Sequence, residues 1–272
     1  MAAAARPDFP SPTEEPAGLI DRLRRRLRAV EASTGLSGEC AGATALGIPL
    51  IDGALGGGLV SGALHEIAAA RETETAAASG FALALAVRIN RSAPAARSVL
   101  WVAEDLSLAE NGMPYGPGLD ETGIAPERLI TVAAARRRDV LWTMEEALRC
   151  RAVGVVIGEL RAHGIDQVAT RRLSLAAAAG NTLGLLLRTA PDDEPSAAAT
   201  RWIIGAAPSS SERERWGVGP PRLVARLMRN RRGHLGAWIV EWNSVEQRFK
   251  LATHSEPVAG TAFDRPPRAA VA

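Results

Sequence analysis

Residues 46–80, LGIPLIDGALGGGLVSGALHEIAAARETETAAASG, decide how this chain folds. A glycine-rich stretch over 47–62 runs into a strand-like apolar segment, ALHEIAA at 63–69, and a helix-compatible segment follows over 74–90. Glycines ahead of a strand do not make a dinucleotide-binding fingerprint, which follows a strand and opens a helix, so a Rossmann reading fails on position. Working outward, SVLWVAED (98–105), RLITV (128–132), VGVVIGEL (153–160) and TLGLLLRT (182–189) read as further strands. Helices over 140–150 and 165–180 fall between them. Strands alternating with helices predict βαβ units, hence a mostly parallel sheet flanked by helices on both faces.

After residue 200 the pattern changes. TRWIIGAA (200–207), RLVARLMR (222–229), GAWIVEWN (236–243) and VEQRFKLA (245–252) read as strands, the last three forming a C-terminal antiparallel β-meander. Trp238, Val240 and Trp242 share one face of the third under period-two alternation. Residues 1–17 and 255–272, rich in Ala and Pro, are predicted to be flexible tails. Residues 18–45 hold a short N-terminal amphipathic helix and a linker, and 46–254 the folded domain. In that helix Leu23 and Leu27 lie on an apolar face, opposite arginines that include Arg24. It either packs on its own domain with solvated arginines or docks on a partner or an acidic surface.

Of the 272 residues 47% are hydrophobic, enough for a sizeable core. The net charge is +2 and the sequence pI near 8.9, and because Lys250 is the sole lysine nearly all positive charge is arginine. Compositional bias accounts for the arginines as readily as function does. Cys40, Cys150 and four scattered histidines show no zinc spacing, so neither a metal site nor a structural disulfide is expected. No apolar h-region precedes the N-terminal prolines and no apolar run reaches membrane-spanning length. These features predict a cytoplasmic protein with no membrane contact and no cofactor.

The order of elements resembles the RecA recombinase core, and four stretches follow it locally. LGGGLVSGALHEI resembles the turn and strand that lead into the recombinase P-loop, and WVAED the strand carrying the water-activating glutamate, here Glu104. Residues 118–160 track the stretch that runs up to Walker B, and RLVARLMRNRRGHLGAWIVEW is similar to the late hairpin with its basic-Asn-basic turn. Among RecA relatives the chain most resembles the ImuA family, the RecA/SulA-like accessory proteins of bacterial SOS mutagenesis cassettes. The resemblance spans about residues 45–252 and rests on the glycine-rich opening followed by a missing P-loop.

A working P-loop needs glycines, so that successive N–H groups surround the phosphates, a Lys for their charge and a Ser/Thr on Mg²⁺. Here the place is held by Arg71, Glu72, Thr73 and Glu74, with no lysine and no glycine before Gly80. The two glutamates would repel a triphosphate; Arg71 could supply charge but not the backbone cradle. Where the Walker B Asp would follow VVI stand Gly158 and Glu159. Glu104 and Glu159 are therefore read as vestigial carboxylates, and the chain as no enzyme. The segment after Thr189, PDDEPSAAA, is short and acidic where recombinases place a DNA loop.

Two basic features remain: the N-terminal helix and the run Arg222, Arg226, Arg229, Asn230, Arg231, Arg232. The resemblance places Arg229-Asn230-Arg231 where recombinases reach toward a neighbouring protomer's nucleotide, as a fork able to grip phosphate. It implies a scaffold of damage-induced, error-prone translesion synthesis. The partners it implies are a Y-family-polymerase-like cassette protein, a specialised replicative-type polymerase and RecA, with association with the nucleoid when engaged and only indirect or weak DNA contact. Two other readings stay open: a divergent RecA-like ATPase or single-strand-binding protein, and a SulA-like cell-division inhibitor.

Overall fold

A computed structural model describes residues 42–92, 97–161, 164–209 and 219–252. The expected tails and the segment with Leu23, Arg24 and Leu27 lie outside them. In chain order the elements begin with β1 (Ala43–Thr44), α1 (Pro49–Ala54), β2 (Leu59–Val60), β3 (Leu64–Ala69) and α2 (Thr75–Ser92). There follow β4 (Ser98–Glu104), α3 (Asp105–Asn111), α4 (Gly116–Thr122), β5 (Leu129–Ala134), α5 (Arg137–Arg149) and β6 (Val153–Leu160). The chain continues through α6 (Gln167–Gly180), β7 (Leu183–Arg188), β8 (Thr200–Ala207), β9 (Arg222–Asn230), β10 (Gly236–Asn243) and β11 (Arg248–Leu251).

Nine strands form one sheet in the order β11-β10-β9-β8-β3-β7-β6-β4-β5. Pairings from β8 through β5 are parallel, and β8 to β11 continue antiparallel. This is the expected mixed architecture. Strands β3, β6 and β7 are buried along their whole length, as continuous apolar strands in a sheet covered on both faces must be. Helix α2 lies on one face with Phe81 and Leu85, and α5 and α6 on the other with Met144, Leu148 and Leu173. The meander closes on the first face: Phe81 meets Trp202 at 5.6 Å and Phe249 at 5.3 Å between ring centroids, and Trp242 meets Phe249 edge-on at 5.0 Å.

Three local features were not legible beforehand. The glycine-rich stretch contains α1, opened by Pro49 in its first turn, and Asp52 accepts the amides of Leu46 and Gly47 at 2.6 and 3.1 Å. Helices α3 and α4, of seven residues each, are too short to show a periodicity. The last strand starts at Arg248 rather than 245, because Asn243 Oδ1 accepts the Glu246 amide and holds a turn. Gly58 adopts φ +129° where a Cβ would stand 2.3 Å from the Thr44 carbonyl, so only glycine lets β1 and β2 close up.

His65 is wholly buried in β3 at the centre of the sheet. Trp202 Nε1 donates to Thr200 Oγ1 at 3.0 Å, which lies 2.8 Å from His65 Nδ1, and His65 Nε2 lies 3.1 Å from the Val60 carbonyl. A carbonyl only accepts, so the ring proton sits on Nε2 and the Thr200 hydroxyl donates to Nδ1. Burial lowers the His65 pKa from 6.5 to about 4, opposed in part by the bond to Val60. The unfolded chain thus takes up a proton that the fold refuses. Stability is full above pH 6.5 and falls as pH drops toward 4, by about 3 kcal/mol across that window. Urea midpoints measured from pH 7 to 4.5 will show this fall, and His65→Asn will be less stable at pH 7 but flatter with pH.

Candidate functional site

The turn between β3 and α2 is held by bonds to the chain's own carbonyls. Ala70 N–H goes to the Ile204 carbonyl at 2.7 Å, Glu74 N–H to Arg71 at 2.8 Å, and the Thr75 hydroxyl to Glu72 at 2.7 Å, closing a 3-10 turn over Glu72–Glu74. Arg71 Nε and Nη2 grip Glu74 in bidentate fashion at 3.1 and 3.0 Å, and Glu74 Oε1 also accepts the Ala206 amide at 3.2 Å. The guanidinium holds the Glu74 carboxyl below the usual carboxylate range. Arg71 is three-quarters exposed, so the pair adds little stability. Its effect is positional: a carboxylate of the chain itself occupies the start of α2, and the Arg71 charge is already met. Thr73 lies within the same turn.

The two carboxylates from the β4 and β6 ends differ. Glu104 is half-buried and precedes α3 without capping it through its side chain. Glu159 is buried; Ser107 Oγ and Asn111 Nδ2 both donate to its Oε1, the latter at 3.4 Å. Alternation along β6 puts Glu159 on the α2 face with Val155 and Ile157. A Cβ on Gly158 would instead meet Met144 Sδ at 2.0 Å, on the α5 face. Of Gly158 and Glu159, Glu159 is therefore the one that faces α2. With Thr75, Ser79, Trp101, Met113 and Tyr115 it lines a cleft of about 610 Å³.

The basic hairpin is fastened to its own domain. Arg222 pairs with Glu241 at 2.9 Å, and Arg229 and Arg231 both donate to the Ser196 carbonyl, at 2.6 and 3.3 Å. Asn230 Nδ2 donates to the carbonyls of Ala54 and His234 at 2.8 and 3.2 Å, and its Oδ1 accepts the Arg232 amide at 3.0 Å. The Arg229-Asn230-Arg231 turn, expected to reach outward, is thus tied back to residues 54, 196 and 234, with Arg231 still exposed. Arg226 is exposed and has no polar partner among the described residues.

Sequence reasoning missed the knot that holds the acidic segment after β7. Arg188 pairs with Asp192 at 2.6 Å, both side chains buried, and Asp192 Oδ1 accepts the Glu194 amide at 2.8 Å. Arg201 donates to the carbonyls of Asp192 and Glu194 at 2.7 and 2.8 Å and, through Nε, to Glu66 Oε2 at 2.6 Å. Asp192 is therefore consumed within the fold and does not project as a repelling carboxylate. The available signal was one charge inside each of two apolar strands, Glu66 in β3 and Arg201 in β8, which the parallel register sets side by side.

The chain matches no family model. It is 35% identical over 209 residues to Protein ImuA of Caulobacter vibrioides, in strains NA1000 / CB15N and ATCC 19089 / CIP 103742 / CB 15, covering 72% of this chain and 81% of that protein. The chain belongs to the ImuA family. The crystal structure of the RadB recombinase matches this ImuA-family chain with a TM-score of 0.50, covering 77% of it and 99% of the recombinase. At 14% identity that likeness shows the fold, a RecA-like core with antiparallel C-terminal strands, as expected from the sequence.

Removing Arg201 strands a buried carboxylate, so Arg201→Ala should cost about 3–5 kcal/mol in urea unfolding and speed amide exchange over residues 190–199. Replacing both partners, Glu66→Leu with Arg201→Met, should recover most of the loss.

Proposed function

We propose that this chain is a non-catalytic accessory protein of damage-induced, error-prone translesion DNA synthesis. The observation that carries the reading is the turn after β3. It has neither lysine nor glycine, it closes as a 3-10 turn, and Glu74, clasped by Arg71 and accepting the Ala206 amide, adds a carboxylate that would repel a phosphate. Family membership supports the pathway. The partners are a Y-family-polymerase-like cassette protein and a specialised replicative-type polymerase, with a RecA filament as a further surface. Its DNA contact is indirect or weak, and its place is the cytoplasm, on the nucleoid when engaged. Within the hairpin, Arg226 is an exposed cation open to a partner, while Arg229 and Arg231 are tied to the Ser196 carbonyl.

Two measurements test this. A fluorescent ATP analogue with Mg²⁺ should show no saturable binding up to about 1 mM. In a deletion strain, Glu104→Gln should restore damage-induced mutagenesis as fully as the unaltered chain does, whereas the empty vector should not. Saturable nucleotide binding, or loss of mutagenesis in a stably folded Glu104→Gln, would return the chain to the ATPases. A deletion without effect on mutagenesis would remove it from translesion synthesis.

A further inference from the structure

The cleft beside α2 is better built than a collapsed active site needs to be. Its floor is Glu159, 5% exposed, whose Oε1 takes the bonds from Ser107 and Asn111 while Oε2 has no polar partner among the described residues. Trp101, 4% exposed, forms part of the lining, and its Nε1 has no acceptor. That oxygen is not sealed from solvent, so a cation or N–H donor that enters the cleft can reach it and make a charge-assisted hydrogen bond. The rim carries Met113 and Tyr115, 63% and 74% exposed, as apolar surface open to solvent. A volume of about 610 Å³ is more than one side chain fills and suits a few residues of peptide.

The charge around it points the same way. Residues 104–127 contain Glu104, Asp105, Glu110, Asp120, Glu121 and Glu127 and not one Arg or Lys, in a chain whose net charge is +2. Among the described residues only Glu110 of these is ion-paired, to Arg161. This stretch supplies the Asn111–Leu119 wall of the cleft, and so acidic a stretch disfavours phosphates and attracts cations.

We propose that the cleft between α2 and the Asn111–Leu119 segment receives a partner protein's peptide in which an arginine or lysine is flanked by apolar residues, its cation seated on Glu159. The apolar flanks lie against Met113, Tyr115 and Leu83, and the acidic 104–127 stretch draws the basic segment in. The inference rests on the accessory reading and gives it a receptor surface on the opposite side of α2's first turn from the Arg71–Glu74 clasp.

The test uses the full chain labelled with ¹⁵N-tryptophan, the Trp101 indole signal being assigned with Trp101→Phe. The probes are acetyl-Leu-Arg-Phe-amide, its citrulline counterpart, and ATP with Mg²⁺. The arginine peptide should shift the Trp101 signal saturably, about tenfold more tightly than the citrulline peptide. Glu159→Gln should erase that preference, and Tyr115→Ala, at an exposed position, should weaken both peptides while leaving it. Equal binding of the two peptides, no shift with either, or an unchanged preference in Glu159→Gln overturns the proposal and leaves the accessory reading standing. A shift with ATP but not with peptide overturns both.

Discussion

Strand β3 carries a carboxylate, Glu66, into the middle of a nine-stranded sheet, and much of the molecule is arranged around keeping it neutralised. Glu66 is 1% exposed, and Arg201 on the neighbouring strand is placed beside it by parallel register. The same guanidinium turns its other nitrogens to the main chain at 192 and 194, so the connection from β7 to β8 is wrapped onto β3. Arg188, Arg229 and Arg231 complete the wrapping from other strands. The arginines that composition makes plentiful are thus spent as forks that hold loops to the sheet, a geometry lysine's single point of charge would not reproduce.

That economy bears on how a RecA-like core persists with its nucleotide turn rebuilt. In a P-loop the bound phosphates and Mg²⁺ supply the charge that backbone amides need. Here the segment closes as a 3-10 turn, and Glu74, just ahead of α2, turns its carboxylate to Arg71 and to the Ala206 amide. On the other side of the same helix Glu159 keeps an oxygen without a partner among the described residues, so the two carboxylates differ: Glu74 is met by the chain itself, and Glu159 faces an open cleft.

The layout of the sheet was legible because its strands are long, apolar and separated by helices with clear periodicity; β6 and β7 could hardly be anything else. The loss of the P-loop was equally plain, since the absence of lysine and glycine is a fact of sequence. What sequence left out depends on register and side-chain direction. Nothing in VVIGEL says that Gly158 faces Met144 and Glu159 faces α2 until the strand has neighbours. Nor does RNRRG say whether its arginines reach out or fold back; a carbonyl at 196, supplied by a distant loop, decides it. The acidic segment misled for the same reason, since Asp192 reads as a free charge until Arg188 is seen beside it.

The ring stack between α2 and the meander has a consequence for biosynthesis. Phe81 is made early and Phe249 near the end of the described chain, yet the two rings share one core with Trp202. Strands β3 and β8 are likewise neighbours in the sheet although a long stretch of sequence lies between them. A nascent chain therefore exposes α2's apolar face to solvent until β11 has left the ribosome, and the helix waits for its lid. Synthesis is the interval in which this protein is most exposed to aggregation and most in need of a chaperone.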